Sequence, residues 1–375
     1  MLTALRVRLE PNNIQKSKLF QSAGTARWAY NWTIGRQEEN YKNGGKFISN
    51  FDLRKELTIL KQVGELKWLN NYSNNITKQA IKDACDAYVK FFKGLSKKPK
   101  FKSRKRCEPK FYQDTDKIKF KDGKVRIEKI GWIKLSEKNR IPENGKYTNP
   151  RVSYNGVHWY VSVGIEAKQE PIDLNGESIG IDVGLKVLAV CSNIEEPYKN
   201  INKSEKVKKL EKKLHRLQRK VSKKYENNKE GSSYVKTKNI IKLEKGIRKL
   251  HKRLDHIRTD YRQKVTTEIV KTKPSRIVME SLNISGMLKN KHLSKTIQQQ
   301  GLYEFSRMMK YKAERQGTEF IEANLWYPSS KTCSKCGHVK AQLSLSERTF
   351  KCECCGVEID RDKNASINLS RYKAS

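Results

Sequence analysis

The sequence has no apolar run approaching the roughly 20 residues that a membrane span needs, and its first ten residues, MLTALRVRLE, lack the apolar region of a signal peptide. It has no G-x-x-x-x-G-K-[ST] loop to cradle a nucleotide triphosphate and no H-E-x-x-H zinc-protease motif, and its six histidines are scattered. These absences exclude a membrane span, a P-loop NTPase and a zincin. Acidic side chains are also scarce. Against 80 Lys+Arg there are 40 Asp+Glu, a formal charge of +40 on 375 residues. A balance that basic points to a polyanionic partner, most often nucleic acid. Eight cysteines suit a reducing cytosol. Cys85, Cys107 and Cys191 read as small apolar side chains without chemistry.

Four of the remaining cysteines are patterned. Cys333/Cys336 and Cys352/Cys355 form two C-x-x-C pairs separated by fifteen residues, each followed by a glycine, Gly337 and Gly356. That spacing predicts a zinc ribbon holding one Zn²⁺ through four thiolates. Cys354 falls outside the repeat. His338 beside the first knuckle reads as solvent-exposed.

The order of the other signals divides the chain. Leu5, Val7 and Leu9 alternate with Arg6, Arg8 and Glu10, predicting a first strand ended by Pro11. Leu19, Ala23, Ala26, Tyr30 and Ile34 then recur at helical spacing. A second helix runs from Ile76 to Phe91, with Asn74 or Asn75 as its cap, and polar loops lie between. Trp28, Tyr30, Trp32, Tyr88, Phe91 and Phe92 follow these helical faces and are assigned to the core. Lys97 to Arg106 is a basic run in which Lys102, Arg104, Lys105 and Arg106 are expected to contact a nucleic-acid backbone. Hairpins follow, one turning at Asp122-Gly123 and one at Asn155-Gly156. Strands on both sides of a helical block predict a small β-barrel, 1–10 with 107–172, into which a helical domain, 11–106, is inserted.

From Glu177 the pattern changes. ESIGIDVGLKVLAV reads as strand, glycine turn and strand, with Asp182 in an otherwise apolar run. Taken alone, Asp182 reads as a turn aspartate at the end of a strand, but a carboxylate on a buried strand is costly unless something binds it, which makes a metal the alternative. Residues 203–264 predict an antiparallel helical pair, with apolar stripes Leu210/Leu214/Leu217/Val221 and Leu243/Ile247/Leu250/Leu254/Ile257 and outer faces of Lys and Arg. Glu280 stands at the carboxyl end of the short strand Ile277–Met279, where α/β sheets face their ligand crevice. Phe320 to Ala323 predicts one more strand, and Asp362 opens a short helix.

Ser329-Ser330-Lys331-Thr332-Cys333, both knuckles and the stretch Asp360 to Asn368 resemble the C-terminal signature of TnpB, a family of insertion-sequence-encoded, RNA-guided DNA endonucleases related to type V CRISPR nucleases. The segments GTARWAYNW and NITKQAIKDACDAYVKFF resemble its recognition helices more loosely. The resemblance implies an α+β multidomain chain: a wedge-type β-barrel with the inserted recognition domain, then an RNase H-like (RuvC) nuclease domain over 173–328 and 357–375, interrupted by the zinc ribbon at 329–356. It implies Asp182, Glu280 and Asp362 as catalytic carboxylates around two Mg²⁺, with Asp360 the rival for the third place. It implies Lys78 and Gln79 near the DNA motif, since a glutamine amide can pair bidentately with adenine. The implied partners are a guide RNA, one chain per RNA, and target double-stranded DNA beside a short transposon-adjacent motif, in a bacterial cytoplasm at the nucleoid. The alternatives are a nuclease-inactive RNA-guided repressor, a DNA transposase and a nonspecific nuclease.

Overall fold

A computed structural model describes residues 2–62, 64–104, 106–166, 172–344 and 346–373. Lys105, one of the expected backbone contacts, lies outside the described residues. The chain divides into two compact units, Met1–Lys168 and Gln169–Ser375.

The first unit contains β1 (Leu2–Glu10), α1 (Asn13–Lys42), α2 (Asn50–Leu60), α3 (Asn74–Phe92), β2 (Lys110–Tyr112), β3 (Lys119–Lys121), β4 (Lys124–Ile127), β5 (Gly131–Leu135), β6 (Tyr147–Tyr154) and β7 (Trp159–Glu166). The strands form one antiparallel sheet in the order β2-β6-β7-β1-β5-β4-β3. The first strand therefore sits mid-sheet, paired from Leu2↔Glu166 to Leu9↔Trp159, although well over a hundred residues separate it from either neighbour. Alternation explains which face turns inward. Val7, Leu9, Trp159, Val161 and Val163 are buried, together with Leu19 and Ala23 of α1 and Ile76 of α3. The β3–β4 turn has both Asp122 and Gly123 at positive φ, the type I′ geometry that matches strand twist.

The helices depart from the expectation in three places. Ser73 occupies the cap position of α3, and Asn74 and Asn75 lie inside its first turn, where they bond Lys61 and Asp114. The polar stretch between the two expected helices contains α2, short enough that only Leu53 and Leu57 turn inward, with Ser49 capping through the Asp52 amide. The aromatics are mixed. Tyr30 and Tyr88 are buried, Trp28, Trp32 and Phe91 are half-buried, and Phe92 is 62% exposed, because the outer side of α3 has no element over it among the described residues.

The second unit contains β8 (Ser178–Val183), β9 (Val187–Cys191), β10 (Tyr198–Lys199), α4 (Glu205–Glu226), the small hairpin β11 (Lys229–Glu230) and β12 (Ser233–Tyr234), α5 (Lys238–Lys271), β13 (Arg276–Glu280), α6 (Ile284–Met287), α7 (Ser294–Gln300), α8 (Leu302–Gln316), β14 (Glu319–Ala323), β15 (Thr349–Lys351), β16 (Glu358–Asp360) and α9 (Arg361–Ser370). Its main sheet runs β10-β9-β8-β13-β14, with β8, β13 and β14 parallel and β9 antiparallel to β8. Ile179, Ile181, Ile277 and Met279 pack against α5 and α8, while Val278 packs against Leu369 of α9 on the opposite face. Cover on both faces is why these strands read as continuous apolar runs. The helical pair α4–α5 closes on Val207, Leu214, Leu250 and Leu254, leaving its lysine faces outward.

α9 lies directly on β8. A Cβ built on Gly180 would stand 1.9 Å from the Ser366 carbonyl and 2.3 Å from the Ser370 amide. Backbone cannot yield as a side chain can, so Gly180→Ala is expected to destabilise the second unit by about 1–3 kcal/mol, the range for overpacking. Gly35, inside α1 with nothing within 4 Å of its Cβ position, is the control. Gly35→Ala should be neutral or stabilise by about 0.5–1 kcal/mol. Thermal unfolding of both variants checks the contrast, and equal melting temperatures would contradict the close packing.

Candidate functional site

The strand register brings Asp182 and Glu280 together. Met279 of β13 pairs with Ile181 of β8, so the next residue on each strand is one of the two acids. Their side chains are near enough for each to shift the ionisation of the other. Asp362, in the first turn of α9, faces both closely enough to repel them electrostatically. Three acidic side chains from two parallel strands and one helix thus converge, and all three are half-buried. Asp360 is occupied otherwise. It is the N-cap of α9, and its Oδ1 accepts from the amides of Asp362 at 2.9 Å and Lys363 at 3.0 Å. That pair of bonds gives Asp360 a structural task and leaves Asp362 as the carboxylate beside Asp182 and Glu280.

The position of α9 is fixed from three sides. The Lys363 ammonium donates to the carbonyls of Cys191, Ser192 and Ile194 at 3.0, 3.0 and 2.7 Å, tying the helix to the end of β9. Ser178 Oγ and Arg276 both donate to the Ser370 carbonyl and hold its far end. On the third side, Asn364 and Asn368, both buried, reach the ribbon. Asn364 accepts from the Ser334 amide and donates to the Thr332 carbonyl, while Asn368 donates to the carbonyls of Ser329 and Thr332.

Like charges gathered on a half-buried sheet edge resist ionisation. Burial first, and then the negative charges of Glu280 and Asp362, hold the Asp182 carboxyl well above the usual carboxylate range. Burial and Asp362 also raise Glu280, against the lowering effect of Asp182. The pair therefore retains a shared proton at a pH where an isolated carboxyl has lost it. Arg361 offsets part of the negative charge, with its guanidinium 3.4 Å from Asp362.

The four ribbon cysteines form a second centre. Their sulfurs all lie within 4.8 Å of one another, with Cys333 3.7 Å from Cys355 and Cys336 3.6 Å from Cys352. The carboxylate trio does not meet that spacing among the described residues. Gly337 and Gly356 adopt φ of 78° and 68°, which lets each knuckle turn back so that its amide bonds the carbonyl of the first cysteine. The Cys355 and Cys354 amides aimed at the Cys352 sulfur hold that thiol down to about 6. A closed set of four thiols, one already biased toward thiolate, matches a structural zinc site. Cys354 and His338 are exposed and outside the cluster.

The expected nucleic-acid residues separate. Lys78, Arg104 and Arg106 are exposed. Gln79 is half-buried and donates to Asp83 at 2.8 Å, while Asp83 pairs with Arg151 at 3.1 Å. Lys102 turns inward, with its ammonium 3.1 Å from the centre of the Tyr30 ring. Burial, the largest cause, pushes that lysine down to about 8. Gln79, Asp83, Lys102 and Arg151 line one cavity of about 340 Å³. A run of charge in the sequence carried no sign that Lys102 would leave the solvent. Asp83 and Arg151, which sequence reasoning missed, were detectable at most as Gln79 and Asp83 standing four apart on one helix face.

Two predictions follow from this geometry. Elemental analysis should find about one zinc per chain, lost in Cys336→Ser and Cys355→Ser and kept in Cys354→Ser; unchanged zinc in the first two would exclude the four-thiol site. The second concerns pH. Because the folded Asp182 titrates above its unfolded value, its contribution to stability is fully present at acid pH and is lost as pH rises through the folded value. Asp182→Asn should therefore raise the melting temperature of protein that keeps its zinc but is held in buffer without Mg²⁺ at neutral pH, by roughly 2–4 °C for each kcal/mol gained. Its advantage should vanish in acid. A variant less stable than the parent at neutral pH would contradict the like-charge account.

Comparison with known proteins gives consistent matches along the chain. The family model described as "Cas12f1-like, TNB domain" matches residues 303–369, "Probable transposase" matches 160–291 and "Helix-turn-helix domain" matches 1–46. In the structure that last segment is the strand β1 followed by the single long helix α1. The Escherichia coli strain K12 protein "Putative RNA-guided DNA endonuclease InsQ" is 29% identical over 386 residues, covering 98% of this chain and 91% of its own length. A Streptomyces pristinaespiralis protein described as "Putative RNA-guided DNA endonuclease" is 27% identical, covering 98% and 88%. Among solved structures, the protein of a Cas12f1-sgRNA-target DNA complex aligns with a TM-score of 0.56 at 15% identity, over 99% of this chain and 98% of that one, a likeness of fold. Matched along nearly its whole length by these relatives and in three segments by family models, the chain is similar throughout to proteins described as RNA-guided DNA endonucleases, and over 36% of its length it is 32% identical to a mimivirus protein described as "TnpB-like protein L79".

Proposed function

We propose that this protein is an RNA-guided DNA endonuclease that cuts target DNA beside a short motif, using a guide RNA from its own insertion sequence. The observation that carries the proposal is the meeting of Asp182, Glu280 and Asp362 in a chain of charge +40. Two relatives that span the chain are described as RNA-guided DNA endonucleases, which supports the same reading. No helix among the described residues is long and apolar enough to cross a membrane.

In this reading the sheet of the second unit, with α9 across it, is an RNase H-like (RuvC) nuclease domain over 173–328 and 357–375, and 329–356 is its zinc ribbon. The sheet of the first unit is the wedge-type barrel, 1–10 and 107–172, carrying the recognition helices of 11–106. The three acids suit Mg²⁺, because hard oxygens crowded against their own repulsion are relieved by a divalent cation. Two such ions, when bound, activate water and neutralise charge on the attacking and leaving oxygens of a phosphodiester. The chain's own part begins with the proton shared by Asp182 and Glu280. That proton must leave before both carboxylates can act as ligands, so metal affinity rises as pH climbs out of the acid range. Asp360, Lys363, Asn364 and Asn368 hold the helix start, and hence Asp362, in place. The lysine faces of α4 and α5 neutralise RNA phosphates without reading sequence, and Gln79, which lines the 340 Å³ cavity, addresses the DNA motif together with the exposed Lys78 beside it.

Asp182→Ala, Glu280→Ala and Asp362→Ala should each abolish cutting while leaving nucleic-acid binding intact, since each removes a ligand and no basic contact. Excess chelator should stop the reaction and Mg²⁺ restore it. Asp360→Ala should lose about 1 kcal/mol of stability, as helix caps do, and still cut. Cleavage assays against a fixed guide and target decide this. Full cutting by any of the first three variants would remove that residue from the site, and complete loss in Asp360→Ala at unchanged stability would move the third ligand to Asp360.

A further inference from the structure

One surface of the first unit has no part in these roles. Tyr41, Phe47 and Phe92 are 81%, 41% and 62% exposed, and they line a single groove of about 850 Å³ between the end of α1 and the end of α3. Phe92 sits one helical turn beyond Tyr88, with ring centres 6.0 Å apart and planes 30° from parallel. Phe47 meets Phe92 edge-on at 5.7 Å and 85°. The segment carrying Phe47 is pinned to α1 by Gln37, whose Nε2 donates to the Ile48 carbonyl at 2.7 Å and whose Oε1 accepts from the Ile48 amide at 3.1 Å. The aromatic shelf is thus formed in advance, and binding to it need not order the chain.

The rim decides the occupant. Lys42, Lys46 and Lys98 border the groove. Its one acid there, Glu38, is taken by Lys98 at 3.1 Å, while Lys42 and Lys46 have no ion pair among the described residues. Lysine is depleted where proteins bind proteins. Exposed rings bordered by free ammonium groups are the arrangement that holds single-stranded nucleic acid, with bases stacked on the rings and phosphates at the cations.

We propose that this groove binds an unpaired stretch of RNA or DNA by stacking bases on Phe92 and its neighbours, with phosphates on Lys42 and Lys46. The inference rests on the nucleic-acid reading for its polyanion alone; cleavage plays no part in it. Its test can therefore fail while the carboxylate variants behave as expected, and the reverse.

The test is fluorescence anisotropy with the full-length protein as purified. The probes are oligo-U, oligo-dT and a blunt duplex of about ten nucleotides, in about 0.3 M salt to weaken contacts made by phosphate alone. Phe92 is 62% exposed and lies outside the buried cluster around Tyr88, so its substitutions remove little core packing. Phe92→Ala and Phe92→Leu should each weaken single-strand binding about tenfold, Phe92→Trp should restore it, and duplex binding should not change. A preference for oligo-U over oligo-dT would name RNA as the occupant, and the reverse would name DNA. Photocrosslinking of iodouridine-substituted strands, read by peptide mass spectrometry, should label Tyr41, Phe47 or Phe92. The proposal is overturned if Phe92→Ala binds as tightly as the parent, if Phe92→Leu does so and the ring is therefore not required, or if crosslinks fall only elsewhere. It is equally overturned if light scattering shows a dimer that Phe92→Ala dissolves while oligonucleotide affinity stays the same.

Discussion

The contact on which the second unit depends is the seating of α9 on the backbone of β8 at Gly180. A helix can approach a strand that closely only where the strand carries no side chain. Everything that matters about Asp362 follows from that approach. The carboxylate belongs to a helix more than 170 residues from Asp182 in sequence, yet it must stand beside a strand-borne pair. Lys363 on three carbonyls, Asn364 and Asn368 on the ribbon, and Asp360 at the cap each remove one freedom from the helix. Together they hold a costly arrangement of like charges, of the kind that persists only when the surrounding structure over-determines it.

The ribbon takes on a second meaning here. Four thiols within 4.8 Å make a centre that metal would close, and the chain leaving that centre becomes α9 within a few residues. The two asparagines convert the fold of the ribbon into the placement of the helix. Structural zinc contributes folding energy directly, so the ribbon and the carboxylate edge are mechanically one assembly although their chemistries differ.

Much of this was legible in the sequence. Asp182 stood out because a carboxylate inside an apolar strand needs a reason, and Glu280 because it ends another such strand. The doubled C-x-x-C spacing identified the four thiols and excluded Cys354. Other features were not legible, for physical reasons. Asp360 and Asp362 both border a helix start, and the capping role of Asp360 shows only in the hydrogen bonds it accepts. Periodicity placed Phe92 on a helix but could not say whether any element would cover that side of it. The basic run 97–106 gave no means of telling that Lys102 folds back over Tyr30 while Arg104 and Arg106 stay in solvent. α2 was missed because two inward leucines are too few to mark a period, though Ser49 and Asp52 offered a capping signal.

The central claim joins a charge-rich chain without a visible long-sequence reader to a single carboxylate site, with sequence choice delegated to a bound RNA through base pairing. The most direct test is to purify the protein with an RNA from its own element, replace only the 3′ segment of that RNA, and map cut positions on DNA carrying both the old and the new matching sequences beside the same motif. The account predicts that cutting moves to the new match and disappears from the old one. Cutting that stays in place, or that proceeds equally well with RNA-free protein, would contradict it.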